Sequence, residues 1–292
     1  MTRVGILYES DEWSDWKLHN ELEAALGEPV AMINMEDDGA LEAARACDVL
    51  VSRVFASAVF RGHKRAAAAM LSLVDELDGA VEMPTLINPP RAHRFEISKA
   101  AAARALEHAG LTVPRIQALG TPDELASRAS TWDYPCIIKP DCGGRTTHTA
   151  MLHTPEEADR FLADAPALTF IVEDYVRARS TFMTRIELVD SSIALMVKRS
   201  IAPNGLSSYH EGSTYERYPD CPVPVREAVL AAGRALDIQF GSFDIIEGAD
   251  GGIYLIDANS VSNVSEDCTD LFQLDLMGKY ARALSRRVRQ NR

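Results

Sequence analysis

Apolar and polar residues follow two different periods along the first ninety residues. Short apolar runs of strand length are separated by longer stretches in which apolar positions recur every three or four residues, as in a helix. The predicted strands are residues 4–8, 30–33, 48–53 and 85–87, and the predicted helices are 13–26 and 60–77. Strands that alternate with helices form a parallel sheet. The pattern predicts an N-terminal α/β domain, 1–90, ended by the Asn88-Pro89-Pro90 break.

The remaining two thirds of the chain contain more strands than helices. Predicted helices cover 97–109, 121–128, 223–236 and 271–286, and predicted strands cover 136–139, 147–152, 169–174, 182–189, 192–199, 240–247 and 253–259. Thr121 is the candidate N-cap of the second of these helices. Residues 203–220 form the longest irregular segment, and a loop of that length is usually functional or mobile.

An acidic hairpin is the sharpest chemical signal. Asp250-Gly251 favours a two-residue turn, and counting from it pairs Ala249 with Gly252 and places Asp244 opposite Asp257. Asn259 shares the face of Asp257 because side chains alternate along a strand. Directly opposed carboxylates repel, and Mg²⁺, which prefers oxygen ligands, would remove the conflict. We therefore predict a metal site; a slipped register with solvated aspartates is the alternative.

Lysine is scarce, with six of the 30 basic residues, so the position of each lysine is informative. Lys139 ends an apolar run and precedes a loop with Gly143, Gly144, Thr146 and Thr147. Glycines allow backbone amides to surround an anion, and hydroxyls and an ammonium add donors. This pattern suits a triphosphate, although a plain hairpin turn is an equal alternative. Other basic residues at strand or helix positions are Lys99, Arg185, Lys198 and Arg199, for which simple surface exposure is the alternative.

Composition narrows the possible partners. A formal net charge of −13 over 292 residues argues against a nucleic-acid binder. No run of 18 uncharged apolar residues is present, so no membrane span is expected. The start of the chain is too acidic for a signal peptide. Five cysteines without a CxxC pair indicate free thiols in a reducing compartment, so we expect a cytoplasmic protein.

Taken in order, these motifs resemble the ATP-grasp superfamily, in particular ligases that add glutamate to ribosomal protein and carrier-protein ligases of lysine biosynthesis. The resemblance covers nearly the whole chain. It rests on Ser98-Lys99 at the start of a helix, the strand ending at Lys139, the loop 143–149, the segment Glu173-Asp174-Tyr175-Val176, the basic Arg185, Lys198 and Arg199, and the acidic Asp244, Asp257 and Asn259. Asp257 stands where glutamate is more usual, and Ser98 where aspartate is.

The resemblance implies an α/β fold, α+β in its catalytic part: the ATP-grasp fold with an N-terminal parallel-sheet domain. A central subdomain, 91–176, would carry a glycine-rich lid, and a C-terminal subdomain, 177–292, the metal site. ATP would bind with its adenine at Glu173, Asp174, Tyr175 and Val176 and its phosphates at Lys99, Lys139 and the lid residues. Asp244, Asp257 and Asn259 would hold one or two Mg²⁺, with Mn²⁺ as a substitute.

The implied reaction joins a carboxylate, expected to be an amino acid, to an amine through an acyl phosphate. Arg185, Lys198 and Arg199 would be catalytic, with Arg199 stabilising the transferring phosphate; a salt bridge on the sheet is its alternative. The substrates would be small molecules, and the assembly a homodimer or homotetramer. A kinase acting on a small molecule, or a nucleotide-binding regulator without turnover, are the alternative functions.

Four residues are candidate substrate contacts, namely Arg53, His210, Ser260 and Ser262. Arg53 could bind a carboxylate bidentately, and a structural ion pair is an equal alternative. His210 and its neighbour Glu211 suit acid–base chemistry, although such pairs in loops are usually solvated.

Overall fold

The N-terminal part is a four-stranded parallel sheet, as predicted. The computed structural model describes residues 2–10, 12–79, 84–207 and 212–290. The strands are β1 (Val4–Tyr8), β2 (Val30–Asn34), β3 (Val49–Ser52) and β4 (Thr85–Ile87), in the order β2-β1-β3-β4. The helices are α1 (Trp13–Leu26), α2 (Ala40–Arg45) and α3 (Lys64–Leu77). A short 3₁₀ helix, Ala56–Arg61, precedes α3, so the helix predicted from residue 60 begins later, and α2 was not predicted.

The central part is a four-stranded antiparallel sheet. Its strands are β5 (Ile116–Gly120), β6 (Cys136–Pro140), β7 (Ala150–Leu152) and β8 (Phe170–Asp174), in the order β5-β8-β6-β7. The helices are α6 (Pro122–Ala126) and α7 (Pro155–Asp164). Thr121 caps α6 in a reciprocal capping box with Glu124, as the sequence predicts. Strand β5 and helix α7 were not predicted.

The C-terminal part is a five-stranded antiparallel sheet. Its strands are β9 (Phe182–Val189), β10 (Ser192–Ser200), β11 (Tyr215–Arg217), β12 (Gly241–Glu247) and β13 (Ile253–Asn259), in the order β11-β10-β9-β12-β13. Its helices are α8 (Val223–Ala235), α9 (Asp267–Phe272) and α10 (Leu276–Gln290). The single closing helix predicted over 271–286 is wrong, because Gln273 adopts a left-handed conformation (φ 48°) that ends α9.

The hydrophobic cores connect parts of the chain that are distant in sequence. Helices α4 (Pro90–Glu96) and α5 (Lys99–His108) pack against the C-terminal sheet through Ala92, Ala102 and Leu106. Helix α10 packs beside α1 in the core of the parallel sheet, through Tyr280 and Leu284. The three sheets therefore lie within the ranges 1–90, 91–176 and 177–292, but the helices that cover them cross those boundaries. No helix among the described residues has the length and apolar character to cross a bilayer.

The acidic hairpin has the predicted acid pairing but a different turn. Gly248 pairs with Gly252 around a three-residue loop, and Gly251 adopts a left-handed conformation (φ 86°). The expected pairing of Ala249 with Gly252 is therefore wrong by one residue. A bulge between Asp244 and Ile245 inserts one extra residue in β13 and restores the register. Asp244 consequently lies directly opposite Asp257, as predicted.

Candidate active site

A cavity of about 650 Å³ lies where the three parts of the chain meet. It is lined by residues of the parallel-sheet domain, both antiparallel sheets and the loop before β7. Most of the predicted site residues line it: Lys99, Lys139, Gly143, Gly144, Thr146, Thr147, Glu173, Asp174, Tyr175, Val176, Arg185, Arg199, Asp244, Asp257 and Asn259. A cavity of this size is adequate for a nucleotide-sized ligand and part of a second one.

One face of the C-terminal sheet forms the floor of the cavity. Across this face, Val197 of β10 pairs with Arg185 of β9, which pairs with Asp244 of β12, which pairs with Asp257 of β13. Paired residues on neighbouring strands point to the same side of a sheet. The register thus places a cation and two carboxylates in one row across the floor. On the opposite face of the sheet, apolar residues such as Ile186 and Phe243 pack on α8.

The two facing carboxylates are neutralised by different cations. Asp244 accepts hydrogen bonds from Arg199 (Nη2–Oδ2, 2.9 Å) and Arg185 (Nη1–Oδ1, 3.3 Å). Asp257 accepts one from Lys99 (Nζ–Oδ1, 2.7 Å). Burial favours the neutral acid, but the positive charges of Lys99 and Lys139 outweigh it and lower the pKa of Asp257. Each of the two facing carboxylates therefore has its own cationic partner within the protein, and the metal site at this hairpin stays a prediction.

The second lysine of the cavity is paired with an acid from the central sheet. Lys139 Nζ lies 2.6 Å from Glu173 Oε1 and 3.1 Å from the carbonyl oxygen of Ile256. Burial raises the pKa of Glu173, although the charge of Lys139 opposes this shift. The side chain of Glu173 is occupied by Lys139. The side chain of Asp174 is likewise engaged, by Arg115 (Nε–Oδ2, 3.0 Å).

The donors along the acidic hairpin suit a hard divalent cation. Asp244 and Asp257 offer carboxylate oxygens, Asn259 offers an amide oxygen, and all three line the cavity. No cluster of three or more His, Cys, Asp or Glu side chains arranged for a metal occurs in the described part of the chain. Two carboxylates and one amide leave a magnesium coordination sphere incomplete, and phosphate oxygens and water commonly complete it. The donor set fits a metal that arrives with a nucleotide.

The glycine-rich loop is folded against the N-terminal domain. Arg145 forms an ion pair with Glu12 (Nη2–Oε1, 2.6 Å), and His148 contacts the ring of Phe60 edge-on. Gly143 lies so close to Phe60 that a Cβ atom would be 2.1 Å from the ring, and its φ of 145° is unfavourable for other residues. The loop therefore covers one side of the cavity and closes onto another domain.

Lys198, predicted to be catalytic, points away from the cavity. Strand residues alternate between faces, so Lys198 lies on the side of the sheet opposite to Arg199. Its ammonium lies 3.4 Å from Glu216 and over the rings of Phe182 and Tyr218. The assignment of Lys198 to the chemistry is corrected on this basis.

The candidate substrate contacts lie behind the cavity wall or outside the described residues. Arg53 is 2% exposed and is bound by Asp15 (Nε–Oδ1, 2.7 Å), which is the structural ion pair named as its alternative. The Ser260 hydroxyl donates to Glu96, and the Ser262 hydroxyl accepts from Arg185 (3.0 Å). None of these three lines the cavity, so their assignment as substrate contacts is corrected. His210 lies outside the described residues.

Two buried acids of the cavity were not predicted from the sequence. Burial raises the pKa of Glu96 to about 7, although its hydrogen bonds from Ser260 and the Ala56 amide oppose the shift. Glu187 follows Arg185 by two residues on β9 and shares its face, and its Oε1 accepts from Arg185 Nε (2.8 Å). Strand alternation from Arg185 could have identified Glu187. Glu96 has no comparable sequence signal.

Known proteins resemble the chain weakly in sequence and closely in fold. No family model matches it. A segment of 151 residues is 24% identical to a D-alanine–D-alanine ligase from Desulfotalea psychrophila, and the match spans 45% of each protein. The solved structure of a RimK domain ATP-grasp protein from Sphaerobacter thermophilus superposes with a TM-score of 0.70 at 17% identity, covering 96% of this chain and 98% of the other.

Two further solved structures cover almost the whole chain. D-cycloserine synthetase DcsG gives a TM-score of 0.68 at 17% identity, over 98% of this chain and 99% of the other. D-alanine–D-alanine ligase from Bacillus anthracis gives 0.68 at 16% identity, over 99% of both. These similarities and the order of the three sheets lead to one conclusion about architecture. The chain has the ATP-grasp fold.

Proposed function

We propose that this protein is an ATP-dependent ligase that joins the carboxylate of an amino acid to an amine through an acyl phosphate. One observation carries the proposal. The carboxylates of Asp244 and Asp257 face the same cavity as Lys99, Arg185 and Arg199, each within hydrogen-bond distance of its partners. Phosphoryl transfer depends on positioning and on neutralising charge, and this floor offers both. The fold shared with D-alanine–D-alanine ligase and DcsG supports the same activity.

The nucleotide would lie between the central and C-terminal sheets. The segment Glu173, Asp174, Tyr175 and Val176 would receive the adenine through its backbone, since the Glu173 side chain is held by Lys139. Lys99, Lys139 and the loop residues Gly143, Gly144, Thr146 and Thr147 would bind the phosphates. A similar D-alanine–D-alanine ligase from Bacillus anthracis has been solved with ATP, which supports ATP as the nucleotide.

Asp244, Asp257 and Asn259 would hold one or two Mg²⁺, with Mn²⁺ as a substitute. When bound, the metal supplies positive charge to the phosphate oxygens. The similar ligase PsnB has been solved with Mg and ADP, which supports magnesium as the metal. Asp257 would hold the metal beside Lys99, which contacts only its Oδ1 atom. The lowered pKa of Asp257 keeps it ionised and ready to bind a cation.

Arg185, Arg199 and the loop 143–149 would have different roles in the reaction. Arg199 and Arg185 would neutralise the charge that develops as the substrate carboxylate attacks the γ-phosphoryl group and the bond to ADP breaks. The acyl phosphate formed would then be attacked by the amine, which releases phosphate and forms the amide. The loop 143–149, closed onto Glu12 and Phe60, would exclude water that otherwise hydrolyses this intermediate.

Small-molecule carboxylates and amines would be the substrates, in a homodimer or homotetramer without nucleic-acid or membrane partners. The location would be cytoplasmic, where the five cysteines would stay reduced.

Hydroxylamine trapping tests the proposal. The protein is incubated with Mg-ATP, pooled amino acids and small carboxylates, and hydroxylamine, and the products are identified by mass. We expect a hydroxamate together with ADP and phosphate, because hydroxylamine replaces the natural amine. A stable phosphorylated product without hydroxamate would identify a kinase instead. Absence of any acid-dependent ADP formation would contradict turnover altogether and leave the regulatory alternative.

A further inference from the structure

Glu187 presents a buried carboxylate oxygen that the protein itself does not satisfy. The residue is 4% exposed and lines the cavity. Its Oε1 accepts from Arg185, but its Oε2 has no hydrogen-bond partner among the described residues. A buried acceptor without a partner costs free energy, and native proteins rarely leave one without a function or a ligand. Ser242 of β12, the cross-strand neighbour of Glu187, also has a hydroxyl without a partner among the described residues, but Ser242 does not line the cavity. Because Glu187 does line it, the Oε2 atom is open to a donor that comes with the substrate.

The position of Glu187 on the floor separates it from the nucleotide. Strand β9 starts a few residues after the segment 173–176 and runs away from it, with Met183, Arg185 and Glu187 on the cavity face in that order. Residues two apart on a strand are about 7 Å apart. Glu187 therefore lies about 7 Å beyond Arg185, on the side opposite to the proposed adenine position. The carboxylate substrate, which has to reach the phosphates from the side away from the adenine, would lie there.

The floor beside Glu187 is apolar. Leu195 of β10 pairs directly with Glu187, and Leu195 and Val197 pack in one cluster with Phe272 and Cys268 of α9. All four line the cavity. Along β10, the residues that face the cavity are the cation Arg199, then the apolar Val197 and Leu195. A ligand that extends from Arg199 past Glu187 meets positive charge, then negative charge, then apolar surface.

We propose that Glu187 binds the ammonium group of an α-amino acid whose apolar side chain lies against Leu195 and Phe272. This inference rests on the proposed function and specifies its carboxylate substrate. Arg185 and Glu187 are adjacent opposite charges, and an α-amino acid carries a carboxylate and an ammonium on neighbouring carbons. The two pairs are complementary when the carboxylate faces Arg185 and the ammonium faces Glu187. An acidic side chain is disfavoured, because it would lose water against an apolar wall without gaining a partner.

Substrate analogues test the inference with the wild-type protein. Leucine, methionine and phenylalanine, in both enantiomers, are compared with glutamate and with 4-methylpentanoate, which is leucine without its amino group. The readout is the KM of each acid in Mg-ATP-dependent hydroxamate formation. We expect the preferred apolar amino acid to have a KM at least about tenfold below glutamate and below 4-methylpentanoate, since a charge-assisted hydrogen bond contributes about 1.5–3 kcal/mol. Equal use of 4-methylpentanoate and leucine would overturn the proposal.

A pair of variants gives a second, independent test of the ammonium site. Glu187→Gln keeps the shape of the side chain and removes its charge, so we expect the KM for leucine to rise about 10- to 100-fold. The KM for ATP and the use of 4-methylpentanoate should change less than about twofold. Glu216→Gln, an acid on the other face of the same sheet that is paired with Lys198, is the matched control and should leave all values unchanged. An unchanged KM for leucine in Glu187→Gln overturns the proposal.

The outcomes also separate this inference from the proposed function. If Glu187→Gln does not fold, as judged by circular dichroism, the analogue comparison in the wild type decides. If no acid supports hydroxamate formation, the ligase proposal fails. Calorimetric binding of leucine and of 4-methylpentanoate in the presence of a non-hydrolysable ATP analogue then tests Glu187 alone. Preferential binding of leucine that is lost in Glu187→Gln supports the ammonium site, and equal binding of both acids overturns it.

Discussion

Asp244 of β12 lies directly opposite Asp257 of β13, and each carboxylate is held by a different cation. Asp244 contacts Arg199 at 2.9 Å, whereas Asp257 contacts Lys99 at 2.7 Å. The repulsion expected between facing acids is therefore relieved inside the protein. The same cations are those that would face the phosphates. The floor of the cavity thus holds acids and cations that are paired with one another.

Replacement of Asp257 tests this balance. Asp257→Asn keeps the shape of the side chain but removes a ligand charge, so we expect acid-dependent ADP formation to fall at least about 100-fold, equivalent to about 2.7 kcal/mol. The measurement is coupled ADP release at several Mg²⁺ concentrations. Asp250→Asn, in the exposed turn of the same hairpin, is the control and should retain activity. Turnover near the wild-type rate in Asp257→Asn would refute the metal role.

Adjacent residues of β10 are predicted to differ sharply in their effect on catalysis. Arg199 faces the cavity and bonds Asp244, whereas Lys198 faces away and pairs with Glu216. We expect Arg199→Gln to lower kcat about 100-fold or more, because a donor aimed at developing charge is lost. Lys198→Gln should change kcat and KM less than about threefold. The comparison is made in the hydroxamate assay, and a large loss of kcat in Lys198→Gln would contradict the orientation of this strand.

Much of the fold could be predicted because local patterns and tertiary structure agree. The parallel sheet and the pairing of Asp244 with Asp257 are examples. The pairing of the two aspartates was nevertheless derived from a predicted turn that is wrong by one residue. A bulge in β13 compensates for this error, and such a bulge depends on contacts between strands that the local sequence does not show. Helix α9 ends at Gln273 in a left-handed conformation, for which the residue type is an uncommon choice.

The candidate site was harder to predict where long-range contacts decide the role of a residue. Lys198 and Arg199 are both basic, and only the direction of the strand relative to the cavity separates them. For Arg53 the sequence allows either a substrate contact or a structural ion pair. The outcome depends on Asp15, which is 38 positions away in sequence and binds the guanidinium. Glu187 lay within reach of a simple rule, since residues two apart on a strand share a face.

Arg53 is expected to act on stability and not on substrate binding. Its side chain is 2% exposed and bound to Asp15, which is 0% exposed. Arg53→Met would leave the Asp15 carboxylate buried without a cation, which costs about 3–5 kcal/mol. We expect a clearly lower urea midpoint for this variant, with a KM for the acid close to that of the wild type at a temperature where both are folded.

Two further variants complete this test. Arg65→Met removes the exposed ion pair with Asp38 and should change stability by less than about 1 kcal/mol. The double variant Arg53→Met, Asp15→Leu should recover part of the lost stability, because no buried charge remains. A selective increase in the KM for the acid in Arg53→Met, without a change in the urea midpoint, would restore Arg53 as a substrate contact.

His93 is predicted to make the protein less stable in mild acid. The residue is buried in α4, its Nδ1 has no hydrogen-bond partner among the described residues, and burial, with a contribution from Arg94, lowers its pKa to about 4. In the unfolded chain His93 has a pKa near 6.5, so between about pH 6.5 and pH 4 it binds a proton that it does not bind in the folded protein. Above about pH 6.5 His93 is neutral in both states and does not lower the free energy of unfolding. As the pH falls from about 6.5 towards 4, protonation of the unfolded chain lowers that free energy.

Urea unfolding at pH 7.5 and pH 5 measures this effect. Between these values the wild type should lose about 2 kcal/mol more than His93→Gln, which cannot bind the proton, because one pKa unit corresponds to about 1.4 kcal/mol. His108→Gln, at the exposed end of α5, is the matched control and should follow the wild type. Other acidic groups titrate equally in all three proteins, so their contribution cancels in the comparison. Parallel stability curves for the wild type and His93→Gln would show that His93 is protonated in the folded protein, and that α4 opens enough to hydrate it.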